Sequence, residues 1–297
     1  MKRKVMKFVQ RINALFFMVL LLGFSQHALA EPGLWKVEKN GVASYLFGTV
    51  HVGDNSMKGL PSKVKKALDN SDKVIVEVDI SAISPMEMQR RSLPFMMLKN
   101  GKTLQSELSS ENYAKLQKYF ADKSIDIAMF KNLAPWAVMV TMMQMEFQSV
   151  GFSDQYGIDK QVLAYAQEHK ISVGELETLE RQMEMFEHLA IMNDKMIEET
   201  FDQLADVDTY FFGLIKAWKS GDMKTLTQFY NESFDDSQYG QLSEQVMLID
   251  RNNDWVNQLS TRIGKEKLFI AVGALHLPEQ HGLLKQLTDK GFTVTRI

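Results

Sequence analysis

The chain has 297 residues, of which 34 are Lys or Arg, 37 are Asp or Glu, and none is cysteine. The lack of cysteine excludes disulfides, thiol nucleophiles and thiolate metal ligands, so any chemistry must use oxygen and imidazole groups. The formal net charge is −3, whereas proteins that bind nucleic acid or an anionic membrane surface need a basic patch. This charge therefore argues against both kinds of partner.

The first thirty residues have the order of a secretory signal peptide. The basic segment "MKRKVMKFVQR" precedes the apolar run "INALFFMVLLLGF", and Ala28-Leu29-Ala30 ends the segment as a small-x-small cleavage signal. The run is shorter than the roughly 20 residues that span a bilayer as a helix, and an uncleaved anchor is the alternative. We predict cleavage after Ala30, a periplasmic or secreted protein, and no stable membrane anchor afterwards. The remaining chain, 31–297, has 29 basic and 37 acidic residues and a net charge of −8, which again argues against nucleic acid.

Strand patterns follow in chain order from residue 34. The segment 34–41 ends in Asn40-Gly41, a strong hairpin signal, and should pair antiparallel with the next strand. Continuous apolar or β-branched runs, typical of buried parallel strands, occur at 43–50, 73–78, 267–273 and 292–297, with a shorter candidate at 171–176.

The segments between these strands have helical patterns. They are "PSKVKKALDNS", "SSENYAKLQKYFADK", "PWAVMVTMMQMEFQSV", "DKQVLAYAQEHK", "TLERQMEMFEHLAIM", a long stretch through 194–219, "LSEQVMLIDRNNDWVNQLSTRI" and "PEQHGLLKQLTDKG". We predict an α/β fold with a mostly parallel central sheet and flanking helices. A single domain, 31–297, would carry a large helical insertion at about 84–170. The methionine-rich segments in this insertion are typical of core packing, with a hydrophobic groove or a Cu(I) site as alternatives.

Candidate functional residues lie just after the predicted strands. Two matched motifs, Gly48-x-x-His51 and Gly273-x-x-His276, follow strands at opposite ends of the chain, and Glu77 lies at the end of the buried run "KVIVEV", one residue before its last. Ligands of open parallel sheets bind beyond the carboxyl ends of the strands, so these side chains should share one cleft. A buried carboxylate such as Glu77 needs a metal or an ionic partner, and both alternatives stay open.

Imidazole and carboxylate groups without thiolates form a ligand set for zinc, manganese or cobalt. The sequence therefore predicts a divalent metal held by His51, His276 and Glu77. Such a metal lowers the pKa of bound water and polarises a carbonyl group, while a carboxylate transfers the proton. Each motif has a simpler interpretation, because a single histidine after a strand usually caps a helix or makes ordinary hydrogen bonds.

Five segments resemble the TraB/PrgY/GumN family of the Tiki superfamily: "LFGTVHVGD", "VIVEVD", "GIDKQVLAYAQEHKISVGELETLERQ", "LIDRNNDW" and "FIAVGALHLPEQHGLLKQLTDKGFTVTRI". The resemblance implies a fold shared with erythromycin esterase-like and ChaN-like proteins. It also implies a metal-dependent hydrolase site, since Tiki members are described as metalloproteases that favour manganese or cobalt. Other relatives inhibit peptide pheromones or belong to polysaccharide gene clusters.

The same resemblance assigns site residues in this sequence. It implies roles for His51, Glu77, Asp159, Glu177, Arg251, Asn252 and His276. Glu77, Glu177 and Arg251 are the expected catalytic residues: Glu177 as a ligand or base, and Arg251 as a group that binds a substrate carboxylate or an oxyanion. His281 departs from some relatives and is interpreted as a surface residue.

The sequence thus predicts an exported metal-dependent hydrolase, peptidase-like, that acts on a peptide or small molecule. The alternative is a non-catalytic periplasmic protein that binds a peptide, a small ligand or haem in the same cleft. Ligand-binding proteins and enzymes use the same residue types, so sequence alone does not separate the two.

Overall fold

A computed structural model describes residues 31–205 and 207–297 of the protein. The predicted signal peptide, 1–30, lies outside the described residues. Residues 31–297 form one compact unit. In the described part of the chain, no helix combines the length and the apolar composition needed to cross a bilayer.

A mixed six-stranded sheet forms the centre of this unit. Its strands are β1 (Leu34–Lys39), β2 (Val42–Thr49), β3 (Lys73–Val76), β4 (Ser172–Glu175), β5 (Leu268–Gly273) and β6 (Thr293–Arg296). The spatial order is β4-β3-β5-β2-β1-β6, with parallel pairing from β4 through β2. This arrangement confirms the predicted α/β class.

The Asn40-Gly41 turn reverses β1 against β2, as predicted. Both residues have positive φ angles, 54° and 77°, which a two-residue type I′ turn requires. The last strand was predicted to be a parallel strand of the sheet. In the structure, β6 runs in the same direction as β2, but it pairs with β1, and this pairing is antiparallel. The hairpin causes this difference, because it covers the edge of β2 with a reversed strand.

Helices lie between the strands. Between β2 and β4 they are α1 (Ser62–Asp69), α2 (Pro85–Met96), α3 (Ser110–Asp122), α4 (Pro135–Ser149) and α5 (Ile158–Glu168). Between β4 and β5 they are α6 (Leu179–Leu189), α7 (Asn193–Ala205), α8 (Val207–Ser220), α9 (Met223–Ser233), α10 (Gln238–Glu244) and α11 (Asp250–Ser260), and α12 (Leu283–Asp289) precedes β6. A π-helical turn, Gln245–Ile249, joins α10 to α11.

Successive side chains along each strand point to opposite faces of the sheet, so the sheet separates two apolar cores. Phe47 and Val74 belong to the core on one face of the sheet, and Leu46 and Ile75 belong to the core on the other. A third cluster lies among the inserted helices and contains Met142, which is fully buried. At this position the methionine-rich helix α4 contributes to core packing, the first of the three interpretations of its sequence.

Candidate functional site

The two Gly-x-x-His motifs follow neighbouring strands. His51 comes shortly after β2, and His276 lies in the turn after β5, which is the parallel partner of β2. Gly48 of the first motif approaches the second motif closely: an added Cβ would lie 3.1 Å from the Cα of Ala274. The motifs therefore meet at the carboxyl edge of the sheet, and a side chain at Gly48 would push them apart.

The two imidazoles have opposite environments. The side chain of His51 is 70% exposed, whereas that of His276 is 6% exposed. His276 packs against the ring of Trp255, with ring centroids 4.5 Å apart. The two rings therefore do not form one symmetric pair: His51 faces solvent, and His276 belongs to the interior.

Arg251 lies at the centre of the buried part of the site. Its Nη2 donates to Glu77 at 2.5 Å and to Glu177 at 2.7 Å, and its Nε donates to Glu177 at 3.1 Å. Its Nη1 donates to the carbonyl oxygen of Met247 at 2.9 Å and lies 3.1 Å from Nε2 of His276. One guanidinium thus joins two buried carboxylates and an imidazole.

Strand register explains why the two glutamates meet. Val76 of β3 lies opposite Glu175 of β4, and the backbone N–H of Glu177 donates to the carbonyl of Glu77 at 3.0 Å. Residues that follow two paired parallel strands are neighbours, so both carboxylates point to the same guanidinium. Buried charges need such partners, because an isolated ion in the interior is strongly unfavourable.

The hydrogen bonds of His276 define its protonation state. A guanidinium can only donate, so Nε2 of His276 accepts from Arg251, and Nδ1 carries the proton that it donates to Oδ1 of Asn252 at 2.7 Å. Burial and the facing Arg251 lower the pKa of His276 to about 3, even though Glu77 acts in the opposite direction. His276 is therefore a neutral imidazole at physiological pH.

Glu77 is an ionised carboxylate with both oxygens engaged. Oε1 accepts from the backbone N–H of Gly273 at 2.7 Å, and Oε2 accepts from Gln182 at 3.1 Å as well as from Arg251. Burial alone would raise the pKa of Glu77. The permanently charged Arg251, the imidazole of His51 and the Gly273 N–H outweigh burial and hold this pKa below its usual value.

His51 and Asp159 form a second ionisable pair, which lines a cavity together with Glu77. Nδ1 of His51 lies 3.3 Å from Oδ2 of Asp159, and the cavity of about 230 Å³ is lined by this pair, Glu77 and Gln182. Interaction with Asp159 raises the pKa of His51 above its usual value of 6.5, which favours the protonated imidazole. Since His51 is largely open to water, which screens charges, only the direction of this shift bears on the chemistry.

Gly157 allows the His51–Asp159 pair to form. An added Cβ at Gly157 would lie 2.5 Å from the carbonyl oxygen of His51 and 3.0 Å from Oδ1 of Asp159. The next N–H, that of Ile158, donates to the carbonyl of Val50 at 2.8 Å. The start of α5 is therefore held directly against the first Gly-x-x-His motif.

The three predicted metal ligands do not converge on one point. Nε2 of His276 faces the guanidinium of Arg251 and lies 3.9 Å from Oε1 of Glu77, while His51 pairs with Asp159. In residues 31–205 and 207–297, no group of three or more His, Asp or Glu side chains is placed to hold a metal ion. As arranged, these residues do not fit a divalent cation, and the metal stays a prediction.

Three further polar residues near the ends of the strands lie outside the buried cluster. Asp79 caps a short 3₁₀ turn by accepting from the N–H of Ser81 at 3.1 Å. Glu175 is exposed and accepts from the N–H of Asp79. His281 directs its ring to the surface beside Gln280.

Sequence reasoning missed Gln182 and reached Asp159, Arg251 and Asn252 only through the family resemblance. Gln182 lies one turn into α6, whose first turn is capped by Thr178. The sequence signal that could have identified Gln182 was the helix cap at Thr178, which comes directly after Glu177. A side chain one turn into that helix lies next to a strand-end carboxylate.

The chain was compared with known proteins. The model of the TraB/PrgY/gumN family matches residues 33–296. Uncharacterized protein YbaP of Shigella flexneri is 27% identical over 244 residues, which is 82% of this chain and 87% of the relative. Uncharacterized protein YbaP of Escherichia coli K12 is 26% identical over 243 residues, with the same shares of both chains. No solved structure matches.

The family match covers the sheet and both Gly-x-x-His motifs, as well as the segments that contain Glu77, Glu177 and Arg251. This range spans nearly all of the described chain and agrees with the resemblance carried by the five quoted segments. The protein belongs to the TraB/PrgY/gumN family.

Proposed function

We propose that the protein is an exported hydrolase, peptidase-like, that cleaves a carbonyl compound in the cavity between His51 and Glu77. The observation that carries this proposal is that two ionisable groups of opposite charge, His51 and Glu77, line one cavity. Environments that move two pKa values apart are typical of acid and base partners in active sites.

The two groups divide the proton transfers between them. His51, kept protonated by Asp159, donates a proton to the leaving group, and Glu77, kept ionised by Arg251, orients the attacking water and accepts its proton. The proton on Glu77 then returns to His51 through solvent. Gln182 fixes the orientation of the carboxylate through its bond to Oε2.

The cavity suits a small substrate group. Its walls include apolar side chains of β3 and α5, among them Val76 and Leu163. Its volume of about 230 Å³ is below the range of roughly 300–1,000 Å³ of drug-sized sites, so it accepts one residue-sized group and not a folded chain. A peptide or small amide with an apolar side chain beside the scissile carbonyl matches this shape.

A second candidate, ligand binding without turnover, has its own supporting observation. Both carboxylate oxygens of Glu77 already accept hydrogen bonds from Gly273, Gln182 and Arg251. A carboxylate stabilised in this way is a weak base, because its pKa lies far below neutral pH. A binding protein for a peptide or small ligand uses the same cavity without transferring protons. Haem is larger than the residue-sized group that this cavity accepts, so it would have to bind at the open side, with the exposed His51 as its candidate axial residue, since both ring nitrogens of His276 are engaged.

A peptide-library digest of the 31–297 chain, read by mass spectrometry, separates these functions. Hydrolysis predicts new termini that disappear in His51→Ala and Glu77→Gln variants and persist in His169→Ala. His169 is the matched control because it is an exposed histidine at the other end of α5, where it stacks on Tyr165. Ligand retention without product supports the binding protein, and a Soret shift on haem titration identifies haem as the ligand.

Metal content and export are measured on the same protein. The sequence predicts a divalent metal, which the side chains as arranged do not fit. Metal analysis of the purified chain, and of its His276→Ala variant, tests for it directly. N-terminal sequencing of protein from the periplasmic fraction tests cleavage after Ala30 and the predicted location together.

A further inference from the structure

The clearest disagreement between sequence and structure concerns the expected metal. Glu77, Glu177 and His276 form the kind of donor set that binds zinc, cobalt or manganese: two carboxylates and one imidazole. In the structure these three side chains surround the guanidinium of Arg251 instead, with donor–acceptor distances from 2.5 to 3.1 Å. The position that would suit a cation is held by the protein's own positive charge.

Arg251 is fixed in this position by its own helix. Its Nη1 donates to the carbonyl of Met247, in the π-helical turn before α11, and its guanidinium lies 4.6 Å from the ring of Trp255 one turn later. The Met247 carbonyl and the Trp255 ring, one turn to either side along the helix, hold the planar guanidinium in one orientation. A single-turn π-helix is frequent at functional sites, and here it supplies one of the acceptors.

Asn252 prepares His276 in the way that partners of metal-bound histidines do. It accepts the Nδ1 proton of His276, which leaves the Nε2 lone pair directed at Arg251. Histidine ligands of metals commonly donate their second N–H to an oxygen that fixes the tautomer. His276 is therefore oriented as a metal-bound histidine would be, while the three side chains as arranged are spaced around a guanidinium and not around a metal ion.

We propose that the Arg251 guanidinium replaces the divalent cation in this protein, and that removing it converts Glu77, Glu177 and His276 into a transition-metal site. A divalent ion beside Arg251 would meet a like charge in a buried setting, which strongly disfavours binding. This inference concerns cation binding and does not depend on the hydrolase proposal.

Cobalt titration of the 31–297 chain tests the proposal. After dialysis against chelator, the wild type should bind no cobalt at this site, and Arg251→Met should bind about one equivalent, by elemental analysis and visible cobalt absorption. The double variant with His276→Ala should lose the absorption. Arg262→Met is the matched control, because it also removes a paired arginine. Arg262 pairs with Glu266, four residues later in the chain, and with none of the three proposed ligands.

Two outcomes overturn the proposal. One is stoichiometric metal in the wild type that is lost in His276→Ala, since the cation would then coexist with Arg251. The other is a folded Arg251→Met variant, verified by circular dichroism, that binds no cobalt. If that variant does not fold, the wild-type titration decides alone. A failed peptide digest leaves both cobalt results intact, so the two proposals fail separately.

Discussion

Replacing Arg251 with methionine removes the only permanent positive charge in contact with Glu77 and Glu177 among the described residues. Methionine preserves much of the apolar stem and cannot donate hydrogen bonds. The side chains of both glutamates are at most 10% exposed, so water cannot take over the role of the guanidinium. The folded variant therefore contains buried carboxylates without a counterion.

The size of the resulting loss follows from the general behaviour of buried ion pairs. Breaking a buried ion pair by removing one partner typically costs about 3–5 kcal/mol of folding free energy. We expect Arg251→Met to lower the free energy of unfolding at neutral pH by about 3–5 kcal/mol.

The loss should depend on pH. In the wild type the folded-state pKa of Glu77 lies below its unfolded value, so its stabilisation is present above about pH 4.5 and is lost as pH falls through about 2. In the variant, burial without Arg251 raises the pKa of Glu77, and acid relieves the destabilisation by protonating the carboxyl group. The difference between wild type and variant should therefore narrow from about pH 6 to about pH 3.

Urea unfolding at several pH values measures both effects, with equal m-values as the check for two-state behaviour. Arg262→Met provides the control, because its half-buried surface pair with Glu266 lies outside the helices and contributes only about 0.2–1 kcal/mol. A loss below about 1 kcal/mol for Arg251→Met, or a difference that does not change in acid, would refute this account of the buried cluster.

Three further predictions concern the cavity and the core. Gly157→Ala should lower the free energy of unfolding by about 1–3 kcal/mol in urea, because its Cβ would lie 2.5 Å from the His51 carbonyl oxygen; unchanged stability would contradict this. Asp159→Asn should lower the pKa of His51 towards about 6.5 in an NMR titration of the ring, and an unaltered midpoint would show that Asp159 does not raise it. Met142→Ala should cost about 2–5 kcal/mol in thermal unfolding because Met142 is fully buried, whereas Met129→Ala, at a side chain 76% exposed, should stay within about 0.5 kcal/mol; equal effects would contradict the core assignment.

Local patterns predicted the strands well because strand periodicity and turn chemistry are short-range properties. Asn40 and Gly41 favour positive φ wherever they occur, so their hairpin follows from two residues. The partner of β6 could not be predicted in this way. Pairing depends on which sheet edge stays open after the rest of the chain has folded, and the β1–β2 hairpin closed the edge of β2.

The need of Glu77 for a partner was evident from its place at the end of a buried strand, and the ionic alternative to a metal was part of the prediction. The identity of that partner was not evident. Arg251 lies 174 residues away in a helix whose sequence, "LIDRNNDW", is typical of a solvated surface when considered alone. Only the packing of α11 against the ends of β3 and β5 buries this arginine.

The amino-acid sequence by itself determined the α/β pattern, the hairpin, and the delivery of two histidines and a glutamate to one edge of the sheet. These properties follow from backbone preferences and from alternation within a few residues. The tertiary structure alone decided that His51 pairs with Asp159 in the open and that His276 and Glu77 enclose Arg251. Charged side chains select partners by distance in space, and those distances exist only after segments far apart in the chain have packed together.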